Sequence, residues 1–213
     1  MAVVDVSKLA AGRVGVGFSD PCVGLYYGTG LPGSHRSGMK LARGVSVSFN
    51  ISTAGDGAHF YADDVVAESD SDKFSSGTVT LVVDGLHARA ERFISGESEP
   101  ESVDVKGTSI TLTRTGRTAD APNVGLGFIR VYQSAGVMMF VPVILPKVKF
   151  QQHAPDGETQ TDRKTYQTTT LTADIMRTDS DANDWKWVGA DFSTRDEARA
   201  VLHTLLGIPE EVG

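Results

Sequence analysis

The stretch GVMMFVPVILPKVKF, residues 136–150, constrains the fold of this chain more than any other. Nine uncharged apolar residues run from Val137 to Leu145, and Pro146 follows at once. A membrane-spanning helix needs about 20 such residues, so the run is too short for one. Pro142 and Pro146 exclude a regular helix through it. What remains is a strand whose two faces are both apolar near its start. The even side (Met138, Phe140, Ile144, Val148, Phe150) is expected to line the core. The odd side (Val137, Met139, Val141, Val143, Leu145) gives way to Lys147 and Lys149. Pro142 has no N–H for a sheet ladder, which predicts an edge strand or a bulge. An apolar edge strand invites pairing with another chain. Either a helix of the same chain covers the odd face, or a neighbouring subunit does.

Alternating patterns elsewhere predict further strands. RVGVGF (13–18), VGLYYG (23–28), VSVSFNIS (45–52), GTVTLVVDG (77–85), TSITLTRT (108–115), NVGLGFIRVY (123–132) and KTYQTTTLTADIM (164–176) are short β-type runs. Ser19-Asp20-Pro21, Gly55-Asp56-Gly57, Ser75-Ser76-Gly77 and Ser134-Ala135-Gly136 supply turn signals between them. Such spacing predicts a mainly β chain, an antiparallel sandwich or barrel-like fold, rather than a βαβ protein. Two short helices are expected to flank it. The first, about 86–95, carries Leu86, Ala90, Phe93 and Ile94 on one face, with Asp84 as N-cap and Gly96 as stop. The second, about 194–206, starts at Ser193 as cap. Ala198, Val201, Leu202, Leu205 and Leu206 form its stripe, and Gly207 then Pro209 end it.

One domain spanning 1–213 is the simplest organisation, with a flexible N-terminal arm at about 1–10 and long loops at about 28–44 and 153–163. The start shows no continuous apolar run of the signal-peptide kind. A single cysteine, Cys22, excludes an internal disulfide and reads as a buried structural thiol. The net charge of −7 is uneven. Residues 51–105 hold twelve acids against Lys73, Arg89 and Arg92, which leaves −9 there and +2 elsewhere. Segment 28–44 carries Arg36, Lys40 and Arg43 and no acid. These are either solvated faces or two patches that pair between copies, because opposed charge sets register and partner choice.

Catalytic and ligand motifs fail on context. Gly28-Thr-Gly30-Leu-Pro-Gly33 matches the spacing of a dinucleotide loop, but Pro32 and GSHRSG follow where a helix should begin. His59 and Asp63 share a strand face yet lie about 13 Å apart by strand rise, too far to hold one ion. The five histidines are scattered singly, and no nucleophile elbow or phosphate loop is present. No catalytic residue, metal ligand or cofactor is therefore assigned. Acidity disfavours nucleic-acid binding by attraction, although it suits a surface past which DNA slides. Trp185 and Trp187, at i,i+2 in NDWKWVG, are the only candidates for a sugar-binding face, and core or helix packing is the simpler reading of them.

Several segments carry a likeness. HFYADDVVAESDSDKFSSGTVTLVVDGLHARAERFISG, then APNVGLGFIRVYQSAGVMMFVPVILPKVKF, then the polar run ETQTDRKTYQTTTLT, followed by a Trp-bearing turn and a C-terminal helix, resembles the major tail proteins of long-tailed phages. The branch it is most similar to is the phi13-type tail tube proteins, over roughly residues 10–205. The resemblance implies a β-sandwich whose copies close into a ring, a hexamer in that family, by joining sheet edges, with rings stacked into a tube that conducts DNA. It also implies tape-measure, tail-terminator and distal tail proteins as partners, a place in the virion tail after assembly in the host cytoplasm, and no membrane or enzymatic role. On this reading Val137, Met139, Val141, Val143 and Leu145, with Arg36, Lys40 and Arg43, form the subunit interface. A monomeric β-sandwich that binds sugar or protein is the alternative.

Overall fold

The computed structural model describes residues 1–213 except 6–11, 29–32, 55–58, 63–64, 70–72, 114–115, 117–119, 153–166 and 210–213; for 54, 59–62 and 65–69 it gives the backbone alone. Eight strands make one antiparallel sheet: β1 Val14–Tyr26, β2 His35–Lys40, β3 Gly44–Ala54, β6 Lys73–Val83, β9 Asn123–Ser134, β10 Val137–Phe150, β11 Thr169–Ile175 and β12 Trp187–Val188. Their order is β2-β1-β9-β10-β11-β6-β3, with β12 beside β10. Two separate ribbons pair β4 His59–Ala62 with β5 Val65–Ser69, and β7 Glu101–Val105 with β8 Thr108–Leu112. Helices α1 Ala88–Ser95 and α2 Arg195–Leu206 complete the expected mainly β class. The sheet curls until Phe18 of β1 lies against Gly44 of β3, where any added Cβ would strike the Phe18 ring. No ladder joins those two strands, so the barrel stays open along that seam.

Of the two coverings left open for the odd face of β10, the chain's own packing supplies it, α1 included, and the edge-strand reading is overturned. β10 is an interior strand, paired with β9 along its length and flanked on its other side by Phe192, β12 and β11 in turn. Its odd residues Val141, Val143 and Leu145 belong to the main core, inside the curl, with Val79, Leu81, Phe128 and Leu171. Its even residues Phe140 and Ile144 belong to a second core under α2, with Ile129, Val131, Ala198, Leu202 and Leu206. A register shift between Leu145 and Val148 swaps the faces, and Val148 and Phe150 then point into the main core. Such a bulge inserts residues into one strand and rotates the alternation. Both faces are apolar because the strand lies between two cores. Pro142 keeps to the rule in a milder form. Phe140 exchanges both backbone hydrogen bonds with Phe192, whereas the Pro142 carbonyl accepts one from Gly189 N–H on that same broken edge.

Alternating glycines explain how α2 sits so close. A Cβ at Gly127 would lie 2.7 Å from Leu206 Cδ1 and 3.0 Å from Leu202 Cδ2, and one at Gly125 would strike His35 and Leu206. The NVGLGF pattern thus presents a flat outer face to the helix and Val124, Leu126 and Phe128 to the inner core. Thr194, not Ser193, caps α2, accepting from the Glu197 N–H. Glu197 in turn accepts from the Ala2 N–H, and Val4 N–H donates to Asp191. The first residues of the expected flexible arm are therefore pinned to the start of α2. Burial and these hydrogen bonds also differ from expectation at α1. Its N-cap is His87 with no side-chain bond, while Asp84 binds Arg43 through the backbone N–H and, at 2.5 Å, through Nε.

Segment 28–44 is only partly a loop. Residues 35–40 form β2 on β1, with His35 and Gly38 buried. HRSGMK has low strand propensity, but α2 requires a small residue there: a Cβ at Gly38 would lie 2.4 Å from the Leu206 carbonyl. Ser19-Asp20-Pro21, expected as a turn, is instead a bulge that lets two predicted strands run on as β1. The expected loop at 153–163 lies outside the described residues.

Candidate functional site

Four of the five apolar residues assigned to an interface are unavailable for one. Met139, Val141, Val143 and Leu145 are all at most 4% exposed within the isolated chain. Only Val137 stays accessible, with Met138 beside it, at the tip of the β9–β10 hairpin next to the left-handed Ala135 and Gly136. The edge-strand assignment failed because an apolar run shows no difference between an uncovered face and a doubly covered one.

The basic residues fare differently. Arg36 is exposed and stacks over Tyr27, 5.1 Å from the ring centre. Lys40 and Arg43 line a cleft of about 890 Å³, together with Arg89, Arg195, Arg199 and His87. Its floor is apolar (Pro21, Met39, Leu41, Ala90), and its carboxylates are Asp20 and Asp84. Both carboxylates are engaged: Asp20 by Arg199 at 2.9 Å and Asp84 by Arg43. The Arg43 guanidinium holds the exposed Asp84 carboxyl below its usual range. Arg89 and Arg195 have no acid partner among the described residues. The cleft is built where the starts of α1 and α2 meet the β2–β3 connection. Sequence spacing identified Lys40 and Arg43 but not Arg89, Arg195 and Arg199, which the fold brings from far along the chain.

The second feature was not foreseen. In the β7–β8 ribbon, Val103 faces Ile110, Val105 faces Thr108 and Glu101 faces Leu112. Cross-strand partners share a face, so Val103, Val105, Ile110 and Leu112 lie on one side while Ser102, Asp104, Ser109 and Thr111 take the other. Val105, Ile110 and Leu112 are 44%, 38% and 43% exposed. The ribbon makes no substantial contact with any other element. TSITL reads as a strand from sequence, but alternation alone does not reveal that its apolar side stays exposed.

Other candidates resolve into packing. Trp185 stacks on Phe74 at 4.6 Å and 8°, against the main core, whereas Trp187 packs in the core under α2. The two tryptophans therefore do not share one face. Cys22 is fully buried, and burial pushes its thiol from the usual 9.0 up to about 12. Among the described residues, no cluster of His, Cys, Asp or Glu is placed to hold a metal ion, and no helix is long and apolar enough to cross a membrane. The His59 and Asp63 pairing falls outside the described side chains. Compared with known protein families and with curated proteins, the chain has no match in either.

Proposed function

We propose that this chain is a structural, self-assembling subunit of a phage tail tube, with DNA passing through the lumen. The observation that carries the proposal is the uncovered apolar face of the β7–β8 ribbon. A two-stranded ribbon is marginal in water by itself. Val105, Ile110 and Leu112 stand exposed together on one that makes no substantial contact with any other described element, and a second copy is the partner that a homopolymer always supplies. The mainly β fold is the one the tail-tube resemblance implies, and the acidic balance of the chain suits a conduit for DNA. Buried Met139, Val141, Val143 and Leu145 drop out of the interface, and the ribbon takes their place. Tape-measure, tail-terminator and distal tail proteins are the further partners this role requires.

The test is Ile110→Asp. The variant is expected to keep the wild-type circular dichroism spectrum and melting temperature, because the ribbon lies outside both cores. It is expected to remain monomeric by light scattering where wild type forms rings or tubes in negative stain. Assembly of Ile110→Asp indistinguishable from wild type would remove the ribbon from the interface.

A further inference from the structure

We infer that the open end of the curled sheet binds a small aromatic carboxylate, its acid group held by Arg130 and Tyr132 and its ring seated among aromatic side chains. This site is separate from assembly and goes beyond it. The recess has a volume of about 320 Å³ and lies where β3, β9, β10 and the turn before β12 come together. That size is at the small end of the range for ligand pockets, and barrel mouths are one of their common places. Phe49, Phe128, Tyr132 and Trp185 supply rings to its lining, with Ile51 and Val143 beside them. Phe128 and Val143 are buried, whereas Phe49, Tyr132 and Trp185 are only partly so. The main core therefore ends here without a cap.

Arg130 is the residue that packing does not explain. It follows Phe128 by two positions in β9, so it takes the same inner face of the sheet. Its cross-strand neighbours are Phe18 and Val141, and both pack in the main core. A charge on such a face is normally paired with an opposite one. Among the described residues lining the recess there is no carboxylate. The Arg130 guanidinium donates only to the Tyr132 hydroxyl, at 3.3 Å. A phenol that accepts this bond still has its own proton to donate, and that proton has no acceptor among the described residues. Two donors thus converge with no anion between them. Arg13 adds less, because it is paired with Asp191 and packs over the Tyr132 ring at 4.6 Å. Lys186 packs over Trp185 at 4.8 Å and has no acid partner among the described residues. A guanidinium fork takes a carboxylate through two parallel hydrogen bonds, and aromatic rings pair well with a further ring. An inorganic anion would leave the rings uncovered, and a neutral hydrocarbon would leave Arg130 unpaired.

Calorimetric titration of the full chain with 2-naphthoate, and separately with uncharged 2-naphthamide, tests the site. Naphthoate is expected to bind with one site per chain and about tenfold more tightly than the amide, the worth of one charge-assisted hydrogen bond. Arg130→Gln is expected to weaken naphthoate by about the same factor and to leave the amide unchanged. Arg130 is exposed, so this variant is expected to melt at the wild-type temperature. Val188→Trp fills the recess from a rim position that is 53% exposed, and it is expected to abolish binding of both probes. Absence of naphthoate binding at millimolar concentration overturns the inference. Equal affinity for acid and amide also overturns it, since that marks an apolar surface without anion recognition. Naphthoate binding untouched by both variants puts the ligand elsewhere and overturns the site. Tighter binding of decanoate than of naphthoate overturns the aromatic class. Light scattering on the same samples reports assembly separately: rings that bind no naphthoate leave the tube proposal standing, and a strict monomer that binds it leaves the site standing.

Discussion

At the scale of single residues, environment decides what each group can do. Val141 is 1% exposed and packs among Val79, Leu81, Phe128 and Leu171. A carboxylate there has no partner, so Val141→Asp is expected to cost several kcal/mol and to unfold the chain rather than merely block assembly. Loss of the far-UV β signal in the purified variant checks this, and a folded monomer would contradict it. His35 is a second case. It is buried, its Nε2–H donates to the Pro146 carbonyl at 2.7 Å, and its ring lies between Tyr26 and the edge of Trp187. Burial lowers its pKa below the usual 6.5, and the hydrogen bond only partly opposes that shift. The unfolded chain then takes up a proton more readily than the folded one. Stability is therefore full above about pH 6.5 and declines as the pH falls below it. Exposed Asp84, Asp179 and Glu197, with pKa values lowered by their partners, act only at more acid pH. Thermal melts between pH 7.5 and 5 test the assignment: His35→Gln should flatten the slope seen in wild type.

At the scale of elements, α2 is the simplest to break. Leu202 is fully buried between the helix and the outer face of β9 and β10. Leu202→Ala is expected to lower unfolding free energy by about 2–5 kcal/mol in denaturant titrations. A change below about 1 kcal/mol would mean that the helix does not anchor on the sheet. The helix was legible in sequence because its stripe, its Gly207 stop and its acidic first turn agree. The strands β3, β9 and β10 were legible because β-branched and aromatic residues alternate along them. β2 was not, since Ser37, Gly38 and Lys40 are chosen by the α2 contact and by solvent, and neither leaves a strand signature. The covering of β10 was illegible for a different reason. Periodicity reports that two faces are apolar but carries no information on what lies above them, and a bulge at Pro146–Lys147 exchanges the faces midway. Of the candidate site, only the Lys40 and Arg43 corner was visible, because the other arginines converge on it through the fold.

At the scale of the whole molecule, two cores are sealed within the chain, and among the described side chains the β7–β8 ribbon lies outside both. The sealed cores account for the stability of a subunit. The β7–β8 ribbon makes no substantial contact with any other described element and keeps Val105, Ile110 and Leu112 exposed. The proposed self-association gives that apolar side a partner in a second copy. Heterologous contacts of this kind grow with concentration instead of stopping at a dimer. The central claim is therefore tested most directly by the mass of the wild-type protein in solution, measured by light scattering across a concentration series at low salt. The proposal predicts a mass that rises from 22.7 kDa toward six-fold rings and higher multiples. A mass fixed at 22.7 kDa at every concentration, with tail initiator and tape-measure proteins added, would contradict it.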